Sequence, residues 1–158
     1  MIRFIIVSCF MIIEQKGRPI MIKGIAHSAV TVKYMDESLR FYTQALGFCQ
    51  AFELRHPETD EPWIVYLSIC PGQFLELFYG GEDYNPWNDR LIGFNHLCLE
   101  VDDIFDSVKK VRENGYPIDI EPKQGSDYNW QAWITDPNGI RIELMQIMPD
   151  SPQARYQF

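Results

Sequence analysis

The sequence is poor in the residues that several common functions require. Of its 158 residues only 3 are histidine and 4 are cysteine, and lysine plus arginine number 14 against 22 aspartate plus glutamate. The cysteines (Cys9, Cys49, Cys70 and Cys98) include no CxxC pair. That excludes a zinc-ribbon pattern and a dense disulfide framework, and leaves free thiols in a reducing cytoplasm as the expectation. A formal net charge of −8 sets the summed field against phosphates, which argues against nucleic acid and anionic membrane as partners. The apolar run at residues 4–13 is too short to span a bilayer and has only Arg3 ahead of it.

Apolar residues are not scarce. At 46% hydrophobic and 14% aromatic, the chain is neither disordered nor fibrous, and its length suits one domain with a proper core. The first twenty residues stand apart from the rest. Ile6-Val7-Ser8-Cys9 has the form of a lipobox, yet the apolar stretch follows the cysteine instead of preceding it. Lys16-Gly17-Arg18, shortly before Met21, can be encoded by purine-rich codons such as a ribosome-binding site contains. The expectation is therefore that translation starts at Met21 and that residues 1–20 come from an over-extended gene model; amino-terminal sequencing of native protein checks it.

From Met21 the chain reads as a duplication. Residues 25–32 have strand character and lead to a helix over 38–46, with Asp36 as N-cap, Leu39, Tyr42 and Leu46 on one face, and Gly47 as its stop. Residues 94–101 repeat the strand. Asp102 or Asp103 then caps a helix carrying Ile104, Val108 and Val111 on one face, ended by Gly115. Three strand-like segments follow each helix, at 48–55, 63–70 and 74–79 and again at 117–121, 130–135 and 140–146. Pro71-Gly72 and Asp136-Pro137-Asn138-Gly139 punctuate them as hairpin turns, and residues 80–90 read as a linker. The expected architecture is α+β: two tandem βαβββ modules, 23–80 and 93–146, within one domain at 21–147, followed by a tail at 148–158.

Four residues recur at equivalent places in the repeat. His27 and His96 belong to the first strands, and Glu76 and Glu143 to the last strands, at nearly equal separations. Period-2 alternation puts Leu75, Leu77, Leu97, Leu99, Ile142 and Leu144 on the helix-covered side and the four polar residues on the other. A lone strand histidine is ordinarily a hydrogen-bonded core residue, and a lone strand glutamate ordinarily faces solvent. Recurrence singles out this set, because an ionised glutamate in an apolar strand is costly unless paired or metal-bound. Two imidazoles and two carboxylates suit one divalent ion, with Zn²⁺, Ni²⁺, Co²⁺, Mn²⁺ and Fe²⁺ all accepted by such donors. His56, in a polar run, reads as a loop residue. Tyr128, Asn129, Trp130, Gln131 and Trp133 form an aromatic and amide cluster readable either as core or as a substrate pocket.

These residues resemble the vicinal-oxygen-chelate superfamily, which includes glyoxalase I (lactoylglutathione lyase), methylmalonyl-CoA epimerase, extradiol dioxygenases and bleomycin- or fosfomycin-resistance proteins. The resemblance covers about residues 23–147. It is carried by Ile25-Ala26-His27, Ser38-Leu39-Arg40-Phe41-Tyr42 with Leu46-Gly47-Phe48, Phe74-Leu75-Glu76-Leu77, Asn95-His96-Leu97-Cys98-Leu99-Glu100-Val101-Asp102, and Asp136-Pro137-Asn138-Gly139-Ile140-Arg141-Ile142-Glu143-Leu144. It implies a cupped eight-stranded mixed sheet with the metal inside, often completed by a homodimer. The His-Glu-His-Glu order is most like glyoxalase I, which implies a lyase or isomerase shifting a proton through an enediolate of a small-molecule α-hydroxycarbonyl or hemithioacetal. Glu143 is the implied base and Glu76 its counterpart. Bacterial glyoxalase I usually has an arginine four residues after the first ligand and an asparagine four after the second, both contacting glutathione; Thr31 and Gly80 stand there instead. The expected substrate is therefore not strictly a glutathione adduct. An Fe²⁺ ring-cleaving dioxygenase using His27, His96 and Glu143 is the alternative, and a non-catalytic small-molecule binder another.

Overall fold

The computed structural model describes residues 22, 24–82, 88, 90 and 92–156. Residues 1–20, where the alternative start was expected, lie outside them, as does part of the 80–90 linker. The element order is β1 (His27–Thr31), α1 (Met35–Arg40, continued by a π-helical turn Phe41–Ala45), β2 (Cys49–Arg55), β3 (Pro62–Cys70), β4 (Gln73–Phe78), β5 (Leu97–Glu100), α2 (Ile104–Glu113), β6 (Ile120–Gln124), β7 (Trp130–Thr135), β8 (Arg141–Gln146) and α3 (Pro152–Arg155). The strands form two four-stranded mixed sheets of identical order, β1-β4-β3-β2 and β5-β8-β7-β6. In each, the first strand pairs parallel with the last and the other pairings are antiparallel. The repeat seen in the sequence is thus a repeat of topology.

The second helix follows its local signals closely. Asp103 accepts from the backbone N–H of Phe105 and Asp106, both at 2.9 Å, and Ile104, Val108 and Val111 are buried. The first helix departs from the expected register. It begins at Met35, after Tyr34, so Asp36 sits inside the first turn, where its charge faces the helix's positive end, and does not cap it. The π-helical turn adds a residue per turn and rotates the buried face, so Phe41, Tyr42 and Ala45 are buried while Leu39 and Leu46 are only half-buried. Gly47, at φ +73°, ends it as expected. Strand β6 starts later than residues 117–121 suggest. Pro122 donates no hydrogen bond and is tolerated on this edge strand at a register shift between Ile120 and Lys123.

One core joins the two modules. Phe41, Tyr42, Val65, Leu67, Leu75 and Leu77 of the first pack in one cluster with Ile104, Val108, Val111, Ile134, Ile142 and Leu144 of the second. The junction is also polar. Asn138 donates to Ser38 Oγ (2.8 Å) and accepts from the Lys33 backbone N–H (2.9 Å). The buried carboxylate of Asp136 accepts from Tyr42 Oη (3.0 Å), from the backbone N–H of Asn138 (2.8 Å) and Ile140 (2.7 Å), and from the Asn138 amide (3.2 Å). Burial, reinforced by the Asp136 charge, pushes the Tyr42 phenol well above its ordinary range, so it stays a donor. Tyr42→Phe is expected to destabilise the fold by about 1–3 kcal/mol, because it strips one donor from a buried carboxylate. A thermal midpoint unchanged from wild type would show that the bond contributes nothing.

Candidate metal centre

The shared core covers the face of each sheet that carries Leu75 and Leu77 or Ile142 and Leu144. The alternate residues, including both glutamates, occupy the other face. Glu76 and Glu143 are each only 4% exposed, although both are flanked along their strands by buried apolar residues. Such carboxylates need a partner. Each has the histidine of its own module: His27 Nδ1 lies 3.3 Å from Glu76 Oε1, and His96 Nε2 lies 3.0 Å from Glu143 Oε2. His96 falls just ahead of β5, not within it.

These separations fit a shared cation. Two donors about 2.1 Å from one ion stand about 3.0 to 3.4 Å apart at octahedral or tetrahedral angles. The His96 pair carries a second sign. Its Nδ1 lies 2.8 Å from Asn95 Oδ1, an acceptor to which this ring nitrogen can donate while Nε2 faces Glu143. An imidazole held by its other N–H is also the usual posture of a metal ligand.

The surroundings of the two pairs differ. Tyr66 lies directly across the β3–β4 pair from Glu76, and the nearby carboxylate together with desolvation raises the phenol above its ordinary value. The Tyr66 ring stacks on Phe52 with centroids 4.3 Å apart, and Phe74 abuts both rings. Across from Glu143 stand Trp133 on β7 and Cys98 on β5. Trp133 meets the His96 ring edge-on at 4.8 Å, and the Arg141 guanidinium lies over the indole at 3.7 Å. Cys98 is exposed as a residue, yet desolvation of its thiol and then the nearby Glu143 charge push that thiol up to about 12.

A family model for the Glyoxalase/Bleomycin resistance protein/Dioxygenase superfamily matches residues 24–144. The chain belongs to this superfamily. It is 31% identical over 127 residues to a probable lactoylglutathione lyase of Synechocystis, covering 76% of this chain and 92% of that protein. It is 31% identical over 132 residues to another from Vibrio cholerae, covering 77% and 89%. Glyoxalase I from Zea mays superposes with a TM-score of 0.65 at 25% identity, over 78% of this chain and 44% of that chain. This chain therefore spans less than half the length of the maize protein it matches.

Against that membership, the placement of the expected site residues is informative. The four residues expected at one ion form two pairs within a chain, one on each sheet. Among the described residues no group of three or more His, Cys, Asp or Glu could hold a metal. The shared core holds the two sheets by their helix-covered faces, and each chain presents two separate His–Glu pairs. Trp133 and Gln131 lie on the Glu143 face, whereas Trp130 lies on the other face, against Phe105 of α2 at 5.2 Å. Tyr128 occupies a turn at φ +68° and is 49% exposed. Asn129 is buried and structural: it bonds Asp127 and Gln153 and accepts from the Met148 backbone N–H, tying down the tail. The sequence reading missed Tyr66, Phe52 and Phe74, together with the second roles of Asn95 and Arg141.

Proposed function

We propose that this chain is a divalent-metal-dependent lyase or isomerase of the lactoylglutathione lyase type, active as a homodimer in the cytoplasm. The carrying observation is the pair of equivalent His–Glu half-sites, each with a buried carboxylate at ligand distance from an imidazole. His27 and Glu76 of one protomer, with the partner's His96 and Glu143, would hold one Ni²⁺ or Zn²⁺, giving two sites per symmetric dimer. Four strands from each chain then make up the cupped eight-stranded sheet. The length of the maize protein, more than twice the matched stretch, leaves room for a second such unit in one chain and supports the pairing. No helix among the described residues is long and apolar enough to cross a membrane, and Cys49, Cys70 and Cys98 are free thiols, in keeping with a reducing compartment.

When bound, the ion would polarise two neighbouring oxygens of the substrate as a Lewis acid. The chain supplies the rest. The Glu143 carboxylate takes the proton from the carbon beside the carbonyl and returns it to the adjacent carbon. Glu76 remains a ligand, while Trp133 screens the His96 side of the site from water. The substrate is an α-hydroxycarbonyl or hemithioacetal, not strictly of glutathione, since Thr31 and Gly80 offer neither a cation nor an amide side chain to a peptide thiol.

Metal analysis by mass spectrometry tests the reading. Protein loaded with Ni²⁺ or Zn²⁺ and freed of excess should retain close to one ion per chain, and His96→Ala should retain far less. No retained metal after loading sinks the catalytic reading. Iron retained by protein purified without added metal, with oxygen uptake on a catechol, replaces it by the dioxygenase.

A further inference from the structure

The two modules repeat each other in topology, but the faces that carry their glutamates differ in chemistry. Around Glu76 the first module sets aromatic side chains: Tyr66 stands opposite it on β3, and Phe52 and Phe74 pack against that ring. Around Glu143 the second module sets a cation. Arg141 lies two residues before Glu143 on β8, on the same face and about 7 Å along the strand. Leu97 pairs with Ile142, so His96, one residue ahead of Leu97, comes level with Arg141. On the β7 side the guanidinium lies over the Trp133 indole at 3.7 Å, and that indole meets the His96 ring edge-on at 4.8 Å. Arg141 is half-buried, and the ring beneath its planar head fixes the orientation of that head.

Covering the indole is one role for this side chain. Its position gives it a second. Stacking uses the face of the guanidinium, whereas its N–H donors point outward in the plane, the geometry that meets a carboxylate with two parallel bonds. Glu76 and Glu143 together balance a divalent ion, so Arg141 adds a charge beside the site that the ion does not call for. We infer that Arg141 binds a carboxylate of the substrate, which is then an α-hydroxycarbonyl or hemithioacetal with a carboxylate a few bonds from its reacting carbons. The inference rests on the metal-dependent reading above and deepens it by naming the substrate class. A carboxylate fits better than a phosphate because the next cation on this face is remote. That residue, Lys123, pairs with Gln131, which is level with Met145, four residues along β8 from Arg141 and about 13 Å away.

Two probes of matched length isolate the charge. Succinmonohydroxamate and butyrohydroxamate each offer two vicinal oxygens to an ion, and only the first ends in a carboxylate. Titrated calorimetrically into Zn²⁺-loaded wild-type protein, the carboxylate probe should bind about 10- to 100-fold tighter, the range of a hydrogen bond to a charged group. Arg141→Met keeps an apolar stem over Trp133 and removes the charge, so it should bring the two affinities close together. Arg141→Lys, a point charge without the fork, should keep only part of the preference. Zinc content of the same samples should stay at the wild-type level in both variants. Equal binding of the two probes by wild type overturns this inference alone, and so does a preference that survives intact in Arg141→Met. Should Arg141→Met not fold, an undiminished preference in Arg141→Lys overturns it equally. Wild-type protein that retains no Zn²⁺ overturns the proposed function, and this inference with it.

Discussion

Glu143→Gln is expected to lower turnover about 10²- to 10⁴-fold, the usual range for a positioned general base, while most of the bound metal is retained. The substitution is nearly isosteric at a site only 4% exposed, so the packing of β8 between β5 and β7 should survive. An amide oxygen can still occupy the ligand position beside His96, but it cannot accept a proton from carbon. Loss of turnover without matching loss of metal separates the proton-transfer role from the ligand role. Glu76→Gln should behave differently, lowering metal affinity first, because Glu76 is proposed as a ligand beside His27 and not as the base. Both are measured as steady-state rate on the hemithioacetal of methylglyoxal with a small thiol, alongside metal content of the same sample. Near-normal turnover in Glu143→Gln removes this residue from the role of base.

Much of the fold was legible because the duplication made each half a check on the other. Helix stops at Gly47 and Gly115, the cap at Asp103 and the turn at 136–139 all depend on local chemistry that a reader can see. The inward leucines beside Glu76 and Glu143 follow from period-2 alternation. What escaped depends on register. Counting outward from the Pro71-Gly72 turn pairs Tyr66 with Leu77, but the irregularity between Ser68 and Cys70 shifts the pairing by one and brings Tyr66 opposite Glu76. A one-residue slip exchanges the faces of a strand, so the aromatic group around Glu76 was invisible without the structure. Trp130 and Trp133 show the same limit in reverse. Their odd spacing puts them on opposite faces, so only Trp133 joins the site, although both stood in one aromatic cluster along the chain. The π-helical turn after Arg40 likewise has no local signal and moved the buried face of the first helix. The separation of the two His–Glu pairs lay furthest from the sequence, because it depends on how whole modules share a core and not on any residue's neighbours.

That separation gives the most decisive expectation. His27→Ala and His96→Ala proteins should each be nearly inactive, because every site in either homodimer lacks an imidazole. Mixed under conditions that let protomers exchange, they should regain activity. In a mixed dimer one site combines both defective half-sites, but the other joins the intact first module of one chain to the intact second module of its partner. Random exchange makes about half the dimers mixed, so roughly a quarter of all sites become whole and the specific activity should rise to about that fraction of wild type. The rise should follow subunit exchange in time and should fail if the two variants are cross-linked as homodimers beforehand. A site built within one chain predicts no recovery at any mixing ratio, since no exchange of protomers repairs a defect in the same chain. Full wild-type activity in either single variant, by contrast, would remove that histidine from the metal centre altogether.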